Sequence, residues 1–525
     1  TDTRGKPVAG AGVVVLLGRD IPTSFLVTDS SGRASCRLPA ATYFAEIIAQ
    51  GSRALPAPVP LKLQEEQEVE VTLKAEKCAH VTVRTDAGTG HARLLQGTGR
   101  RGAMSAIPRA PMFAPVRPPG ELLTPGETVT VRVGEARRTA PALIASKGPL
   151  YQCRAWPGDA LRDRAAPLQV KLSRTMDPDG LVAVDFGQYT NLDPRCPLTR
   201  TERRRSNLCE GLQGAVVNVP RGVVPEEAEA GQDDTIQPPL RAVEVRSRSG
   251  TRFSVIPLGA EFKKAARIAA DISPVRSPDE EVIRTLRNCF PRALIMLTPP
   301  PAGAGADGQG RPTLPPGIDA LQVLTGRHVT AARRRMSAWF DALNQGRKIF
   351  ITGGSLSRDP FHTPAGLSRT FIRCNTKSEL PTREELRRAI VGLRDKPRAF
   401  VTNGPFIRAT VNGERVGSLQ SISGNIQVRL QVSAPAWVDV STVTIYRNGS
   451  AIRTFDVPAT EKVVRLDRAV TLEPAGDCWL AIGVTGDRGM RPVYPGTGAD
   501  AVVPFALTNP FWIDANGDGV VSPSD

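Results

Sequence analysis

The hydrophobic pattern at the start of the chain consists of short apolar runs separated by polar turns. An apolar run at residues 13–17 is followed by Asp, Ser and Gly at residues 28–33 and by a Leu-Pro step at residues 38 and 39. Short strands separated by such turns at regular spacing are typical of an antiparallel β-sandwich. The sequence therefore predicts a β-sandwich over residues 1–76.

The β character continues to about residue 175. Further strand-like segments lie at residues 81–84, 128–133, 143–145 and 168–172. Between them, residues 100–119 are rich in Pro and Arg and have no clear period, which predicts a long surface loop. We expect a second β-sandwich over residues 77–175 that carries this loop.

Near residue 176 the pattern changes to apolar strands that alternate with amphipathic helices. Ser277, Pro278 and Glu280 predict the start of one helix, with Ser277 as its N-cap. This alternation predicts a barrel-like α/β domain over residues 176–404. Its predicted strands are 181–184, 215–219, 294–297 and 349–352, and its predicted helices are 279–288, 328–345 and 383–395.

A second region of alternating strands follows Pro405. Asn448-Gly449 is a strong signal for a two-residue hairpin between two of these strands. We expect an immunoglobulin-like sandwich over residues 405–508, followed by a separate Asp/Asn/Gly-rich segment at residues 509–525. The predicted strands are 406–411, 427–432, 443–447, 451–455, 463–466 and 479–484.

Composition and charge narrow the range of partners. The chain of 525 residues carries Lys+Arg 68 against Asp+Glu 52, a net charge of +16. The basic residues are scattered, and few aromatic side chains lie among them to stack on bases, which argues against nucleic acid as a partner. No apolar run approaches the length that spans a bilayer, so no transmembrane segment is predicted. Anionic glycans or other envelope and extracellular proteins fit better, and the oligomeric state stays open.

The eight cysteines are even in number, and none stands in a Cys-x-x-Cys pair. This pattern favours disulfides formed in an oxidising compartment over a zinc ribbon. The chain begins at Thr1 and has no charged-then-apolar leader, so we expect a signal peptide or longer N-terminal part to have been removed. From their positions in the predicted domains, we expect the pairs Cys36–Cys78, Cys196–Cys209, Cys289–Cys374 and Cys153–Cys478.

The candidate chemistry centres on one loop. The apolar run 348–351 breaks into Gly353-Gly354-Ser355-Leu356-Ser357-Arg358, and loops that follow such strands form the active sites of α/β barrels. Residues 180–510 resemble metallohydrolases of the PHP (polymerase and histidinol phosphatase) superfamily, of the CehA/McbA type. The motifs that carry this resemblance are Gly317-Ile318-Asp319-Ala320, Leu343-Asn344-Gln345-Gly346, Gly353-Gly354-Ser355, Arg369-Thr370-Phe371 and Thr402-Asn403-Gly404-Pro405.

A second resemblance covers about residues 4–75. Gly5-Lys6-Pro7-Val8 and Thr28-Asp29, with Gly32-Arg33 after them, resemble the carboxypeptidase regulatory-like, transthyretin-like module. Such modules are non-catalytic spacers or binding units of secreted proteins. Together, the two resemblances imply a multidomain α+β fold in which β-sandwiches flank a PHP-like α/β barrel.

The metal ligands implied by the PHP resemblance are mostly replaced. The family's Gly-Gly-Ser-Asp-Ser-His loop has its ligand Asp and His at the positions of Leu356 and Arg358. Its opening Asp-x-His-x-His keeps Asp185 but has Gly187 and Tyr189 in place of the histidines. Leu offers no donor atom and Arg adds a permanent cation, so these positions do not suit a divalent ion.

Glu244 matches the family's bridging glutamate, whereas the positions near 218–220 and 250–252 keep no ligand. A hydrolytic centre needs about three protein ligands and an open position for water. At most two carboxylates survive, Asp185 and Glu244, so we expect a vestigial pocket. In it, Arg358 would either pair with Glu244 and close the pocket or receive an anionic group of a ligand.

A rebuilt metal site is the alternative. Asp359 and His362 lie three residues apart and could join Asp185 and Glu244 as displaced ligands. The chain would then be a metal-dependent phosphoesterase or amide/ester hydrolase.

The last twelve residues have the spacing of a calcium-binding loop. Asp514, Asn516, Asp518 and Asp525 stand at positions 1, 3, 5 and 12, and Val520 would supply the carbonyl at position 7. The segment resembles dockerin-like or thrombospondin-like calcium loops, because no flanking helices are evident. An exposed turn without an ion is the alternative.

Taken together, these observations predict a bacterial protein that is secreted, periplasmic or exposed at the cell surface. We expect a pseudoenzyme with a structural or ligand-binding role, in which calcium is the one candidate cofactor and no catalytic metal is bound. An extracellular or envelope assembly suits this series of β modules. Binding of a polyanion by the basic surface is a third possibility, which would weaken steeply with salt.

Overall fold

The computed structural model defines two compact units, Thr1–Ala145 with Arg154–Lys171 and Ser146–Cys153 with Leu172–Asp525. Both are rich in β-strands. The description omits residues 1–4, 10–11, 18–20, 37–39, 49–51, 56–58, 64–71, 76–77, 97–119, 135–140, 162–165, 194–195, 197, 221–222, 224–239, 258–261, 274–275, 299–313, 328, 377, 423, 474–475, 495–500 and 524–525.

The first unit is built from four small sheets. One has the order β2-β1-β3-β5, and the others have the orders β4-β6, β10-β7-β13 and β12-β11-β8-β9. Its buried residues include Val81 and Val83, which alternate along β7. The predicted Pro/Arg-rich loop at residues 100–119 lies outside the described residues. The strands are β1 Gly12–Leu17, β2 Ile21–Val27, β3 Ala41–Ile48, β4 Ser52–Leu55, β5 Val59–Leu63, β6 Thr72–Ala75, β7 Cys78–Thr85, β8 Ala92–Gln96, β9 Gly120–Leu123, β10 Thr128–Gly134, β11 Pro141–Ser146, β12 Arg154–Pro157 and β13 Leu168–Val170.

A single long sheet organises the second unit. Its main path has the order β20-β19-β18-β17-β16-β15-β14-β21-β22-β31-β30-β27-β28, and β32 joins β25 to β30 beside that path. The strands are β14 Leu181–Gln188, β15 Gly214–Val219, β16 Leu240–Arg246, β17 Arg252–Ile256, β18 Leu294–Thr298, β19 Ala320–Thr325, β20 Phe350–Gly354, β21 Arg369–Arg373, β22 Ala399–Thr402, β25 Leu419–Ser421, β27 Thr442–Arg447, β28 Ser450–Asp456, β30 Cys478–Thr485, β31 Phe505–Thr508 and β32 Phe511–Asp514.

The part of this sheet from β20 to β21 is curled like half of a barrel. The edge strand β20 comes back towards β14 and β21, because Gly353 N donates to Thr370 Oγ1 at 2.7 Å and Ser357 forms an isolated bridge with Gln188. Gly353 must be a glycine here, since a Cβ atom would lie 2.8 Å from the Arg369 carbonyl oxygen. The apolar residues of the strands fill the inside of the curl and the layer beneath the helices.

Five helices are described in this unit. The helices α1 and α5 begin with capping boxes, formed by Thr199 with Glu202 and by Thr382 with Glu385. The N-cap of α3 is Pro278 rather than the predicted Ser277, and it makes no side-chain cap. The helices are α1 Arg200–Cys209, α2 Phe262–Asp271, α3 Asp279–Cys289, α4 Val329–Asn344 and α5 Arg383–Gly392.

The C-terminal part is a sandwich whose second layer is the end of the long sheet. Strands β23 Phe406–Val411, β24 Glu414–Arg415, β26 Ile426–Ser433 and β29 Val464–Leu472 form the first layer, in the order β24-β23-β26-β29. Val428 and Leu430 of β26 share a core with Ile445 of β27 and Ile482 of β30. The long sheet therefore continues across the boundary that the sequence pattern placed at residues 404 and 405.

The predicted disulfides are not formed. Free thiols are present at Cys36, Cys153, Cys196, Cys289, Cys374 and Cys478, so each of the four expected pairs lacks at least one partner. The Cys196 Sγ atom instead lies 3.3 Å from the carbonyl oxygens of Tyr189 and Arg358. The side chain of Cys78 lies outside the description.

None of the helices in the described part of the chain combines the length and apolar character that crossing a bilayer requires.

Candidate functional site

The strand directions bring the candidate residues to one edge of the curled sheet. β14, β15 and β16 are parallel, β18, β19 and β20 are parallel, and β17 is antiparallel to its two neighbours. The carboxyl ends of these six strands and the amino end of β17 therefore lie together, and we call this edge the rim. Such an edge is where α/β folds hold their ligands.

Asp185, near the end of β14, is fully buried, and all of its acceptor capacity is used. Its Oδ1 atom accepts from Gly187 N at 3.0 Å and from Ser355 N at 2.9 Å. Its Oδ2 atom accepts from Ser355 Oγ at 2.5 Å and from Gly366 N at 2.7 Å. Burial raises the pKa of Asp185, and these hydrogen bonds oppose that rise. Because a carboxylate has about four acceptor sites, Asp185 holds the loop after β20 against β14 and has none left for a metal ion.

Leu356 closes the space beside Gly187. The Leu356 N–H donates to the Gly187 carbonyl at 2.6 Å. A Cβ atom on Gly187 would lie 3.0 Å from Gln322 Nε2 and 3.1 Å from Leu356 Cδ2. Leu356 has φ +52°, a left-handed conformation that costs roughly 1–2 kcal/mol for a residue with a Cβ atom. At the position that the resemblance assigns to a ligand histidine, a side chain would thus have to displace Gln322 and Leu356.

Tyr189 and Glu244 form a buried pair. The Tyr189 hydroxyl donates to Glu244 Oε2 at 2.5 Å, and burial, with the charge of Glu244, raises the pKa of Tyr189. The other oxygen of Glu244 accepts from Nε and Nη2 of Arg246 at 3.1 and 3.0 Å. Both oxygens of Glu244 therefore have strong donors.

Arg358 contacts two residues of the loop after β14. Its guanidinium carbon lies 3.8 Å from the centre of the Tyr189 ring. Its Nε and Nη2 atoms donate to Asp193 Oδ2 at 3.0 and 2.9 Å, and Asp193 is buried. Arg358 therefore pairs with Asp193 and not, as the sequence suggested, with Glu244. Sequence reasoning missed Asp193. In the sequence it is a single carboxylate a few residues after the motif that begins at Asp185, and nothing else marks it.

Arg203 of α1 contacts both the loop after β14 and the loop after β20. It is buried, and it donates to the Tyr189 carbonyl at 2.8 Å, to Ser357 Oγ at 2.8 Å and to the Ser357 carbonyl at 3.0 Å. Burial lowers the pKa of Arg203. The Arg203 guanidinium thus connects the loops after β14 and β20. Sequence analysis did not predict the helix α1 that carries it.

The rebuilt metal site does not assemble. Asp359 Oδ1 accepts from the backbone N–H groups of Phe361 at 2.9 Å and His362 at 2.5 Å, so it caps its own turn. In the described part of the chain, one group of acidic side chains brings its ligand atoms within 4.8 Å of one another. This group contains none of Asp185, Glu244, Asp359 and His362.

That group consists of Asp477, next to β30, with Asp514 and Asp518 of the C-terminal loop. Asp514 accepts from the N–H groups of Gly517 at 2.7 Å and Gly519 at 2.9 Å. Asp477, at the start of β30, accepts from the backbone of residues 515 and 522. The predicted ligands Asp514 and Asp518 are thus close together, and Asp477 is an added neighbour that the spacing did not reveal.

Two other predicted calcium ligands, Asn516 and Val520, contact Asp518 of this triad. The Asn516 side chain hydrogen-bonds with Asp518, and the Val520 N–H donates to Asp518 Oδ1 at 2.7 Å. Asp525 lies outside the described residues.

At the rim, the donor set does not fit a hydrolytic metal ion. Asp185 is saturated by four hydrogen bonds, Glu244 accepts three that engage both of its oxygens, and the other expected positions present an apolar side chain, a phenol and a guanidinium. A metal needs accessible lone pairs from about three such positions. The arrangement can instead fix two loops and present guanidinium N–H groups to solvent.

No protein-family model and no curated protein matches the chain. Solved structures resemble it only slightly. Endonuclease Q from Pyrococcus furiosus has 14% identity and a TM-score of 0.27, over 41% of this chain and 56% of that one. PsfC from Pseudomonas syringae has 12% identity and a TM-score of 0.29, over 40% of this chain and 88% of its own. A streptococcal ancillary pilin has 14% identity and a TM-score of 0.19, over 33% and 60% of the two chains.

Proposed function

We propose that the chain is a non-catalytic, secreted or surface-exposed bacterial protein with a structural or ligand-binding role. In this proposal the curled sheet is a PHP-like barrel that has lost its metal centre. The carboxypeptidase regulatory-like and immunoglobulin-like sandwiches flank it. The observation that carries the proposal is the saturation of the Asp185 carboxylate by four hydrogen bonds from Gly187, Ser355 and Gly366.

Recruiting Asp185 to a metal ion would break this network. Each buried donor left without a partner costs about 1–3 kcal/mol, and three backbone N–H groups donate to the Asp185 carboxylate. The Asp185 contacts therefore support a role in holding the fold.

The charge of Arg358 argues in the same direction. A guanidinium about 4 Å from a divalent ion would repel it by roughly 8 kcal/mol at an effective dielectric constant of 20. Arg358 is fixed on Tyr189 by Asp193, so it cannot turn away without breaking that ion pair. A metal ion at this place would need carboxylates to offset the repulsion, and those nearby are already engaged.

A role in an extracellular or envelope assembly accords with the β-rich modules. The net charge of +16 suits anionic glycans or acidic envelope proteins as partners.

The C-terminal loop is the candidate cofactor site. We propose that it takes up a calcium ion, because Asp477, Asp514 and Asp518 bring carboxylate oxygens within 4.8 Å of one another and calcium prefers such oxygen ligands. This site would stabilise the end of the sandwich without taking part in chemistry.

A hydrolysis assay tests the non-catalytic role. Purified protein is incubated with Zn²⁺, Mn²⁺ or Fe²⁺ and with p-nitrophenyl phosphate and p-nitrophenyl acetate. We expect the same background rate from the wild type and from a D359A/H362A double variant. A metal-dependent rate that the double variant loses would support the rebuilt hydrolase instead.

A further inference from the structure

Three arginines surround the Tyr189–Glu244 pair at the rim. Arg246 ends β16 and Arg252 begins β17, and the two residues face each other in the antiparallel register of these strands. Arg358 approaches from the loop after β20 and covers the Tyr189 ring. Guanidinium groups from three separate segments therefore converge on one buried phenol and one carboxylate.

The carboxylates at this place leave much of the donor capacity unused. Arg246 and Arg358 each place Nε and Nη2 on a single carboxylate oxygen, of Glu244 and Asp193 respectively. A guanidinium has five N–H donors, so the Nη1 groups of both remain after these contacts. The carboxylates orient the arginines without enclosing them, because 42% of the Arg246 side chain and 18% of the Arg358 side chain stay exposed.

Arg252 adds a charge that no described carboxylate balances. Within the described ranges, its side chain has no ion pair and no hydrogen bond, and its positive charge lies close enough to the Tyr189 hydroxyl to act on its pKa together with that of Arg358. Burial, with the charge of Arg252, lowers the pKa of Arg335 to about 10. Arg252 also faces Arg246 across the antiparallel strand pair, and like charges on neighbouring side chains repel each other.

We propose that the rim binds an oxyanion group, such as phosphate, sulfate or carboxylate, among Arg246, Arg252 and Arg358, beside the Tyr189 ring that Arg358 covers. The inference deepens the proposed ligand-binding role and rests on it. Planar guanidinium forks match oxyanions geometrically. Asp193 and Tyr189 fix Arg358 in advance, which reduces the entropy lost on binding. The site would thus use a positive charge where the resembled enzymes hold metal ions, but without activating water.

Isothermal titration calorimetry with inorganic phosphate, sulfate and acetate tests this site on the full chain. We expect saturable binding of at least one oxyanion, with an affinity that falls as NaCl is added. The variants R252Q and R358Q should each weaken binding by about 10-fold or more, since a charge-assisted hydrogen bond contributes about 1.5–3 kcal/mol. R453Q is the matched control, because Arg453 is an exposed strand arginine on β28, and it should bind like the wild type.

Circular dichroism and thermal melting of each variant check that it remains folded. R252Q keeps the test informative if R358Q unfolds, because Arg358 also holds Asp193. Absence of saturable binding by the wild type, or an equal loss in R453Q, would overturn the proposal. Either result would leave the non-catalytic role intact, whereas metal-dependent hydrolysis would overturn that role whatever the oxyanion result.

Discussion

The guanidinium of Arg358 stacks on the ring of Tyr189, with its central carbon 3.8 Å from the ring centre. Both residues stand where the PHP resemblance implies histidine ligands. A cation–π contact contributes about 0.5–2 kcal/mol, depending on its desolvation, and Asp193 holds the cation in place. Two positions that would bind a metal in the resembled enzymes thus stabilise each other in this chain.

Replacing Asp185 by Asn should destabilise the second unit. An amide presents an NH2 group toward donors that now face a carboxylate oxygen, so at least one buried N–H group loses its acceptor. We expect the D185N variant to lose about 3 kcal/mol of unfolding free energy in urea titrations. The control D467N changes an exposed carboxylate on β29 and should shift stability by less than about 0.5 kcal/mol. Equal effects in both variants would refute the role given to Asp185.

Gly187 should not tolerate a side chain. A Cβ atom there meets Gln322 and Leu356 at 3.0 and 3.1 Å, so we expect G187A to cost about 1–3 kcal/mol. The L356A change removes the side chain that the new methyl group would contact. The G187A/L356A double variant should therefore lose less unfolding free energy than the two single variants lose together. The control G392A, at the end of α5 with nothing within 4 Å of its Cβ position, should be neutral or slightly stabilising. An unchanged unfolding free energy in G187A would show that the space between Gly187, Gln322 and Leu356 accepts a side chain.

The thiols should differ in their reactivity. Burial raises the pKa of Cys153, Cys374 and Cys478 to about 11 each, from an ordinary value of 9.0. At pH 8 their thiolate fraction is then roughly 100-fold lower than that of an ordinary thiol. Because a raised pKa delays deprotonation, labelling by iodoacetamide should rise steadily as the pH approaches 11.

Peptide mapping after brief labelling at pH 8 measures this difference. Exposed Cys36 should be modified first and those three thiols last, and unfolding in urea should remove the difference. Peptides joined by a disulfide between Cys153 and Cys478 in unreduced protein would favour the pairing expected from the sequence instead.

Calcium should raise the melting temperature if the C-terminal loop binds it. Asp477 lies outside the last twelve residues, yet its carboxylate lies close to those of Asp514 and Asp518. A variant at Asp477 therefore tests whether the site is formed by the fold or by the C-terminal loop alone. We expect D477N and D514N each to reduce the calcium-dependent shift by at least half, with D467N as an unaffected control. A shift that persists in D477N would exclude that residue as a ligand.

Local sequence signals predicted much of the second unit well. Asn448 and Gly449 form the expected hairpin with φ of +48° and +90°, and β23 covers the predicted residues 406–411. These features depend on residues close together in the chain, where turn chemistry and alternation act directly.

Helix α1 could not be recognised in the same way. Its buried residues are Arg203, Ser206, Asn207 and Cys209, so the face that packs inward has no apolar periodicity to detect. The partner of Arg358 was also hidden, because Asp193 lies 165 residues earlier in the chain. Neither propensity nor spacing determines which of several carboxylates a folded chain brings to a guanidinium.

The departures from the ligand pattern of the resembled family were visible in the sequence, but their physical consequences were not. Gly187 and Leu356 stand at two of the implied ligand positions, whereas the short distance from a Cβ atom on Gly187 to the Leu356 side chain is visible only in the folded chain. Likewise, the four donors around Asp185 come from three separate segments.

Metal analysis of the purified protein tests the central claim most directly. After incubation with Zn²⁺, Mn²⁺ or Fe²⁺ and removal of free ions, inductively coupled plasma mass spectrometry should find well below one equivalent of any transition metal, and D185N should not change that amount. One equivalent in the wild type that D185N or a D359A/H362A double variant loses would contradict the claim that hydrogen bonds and guanidinium groups have replaced the metal centre.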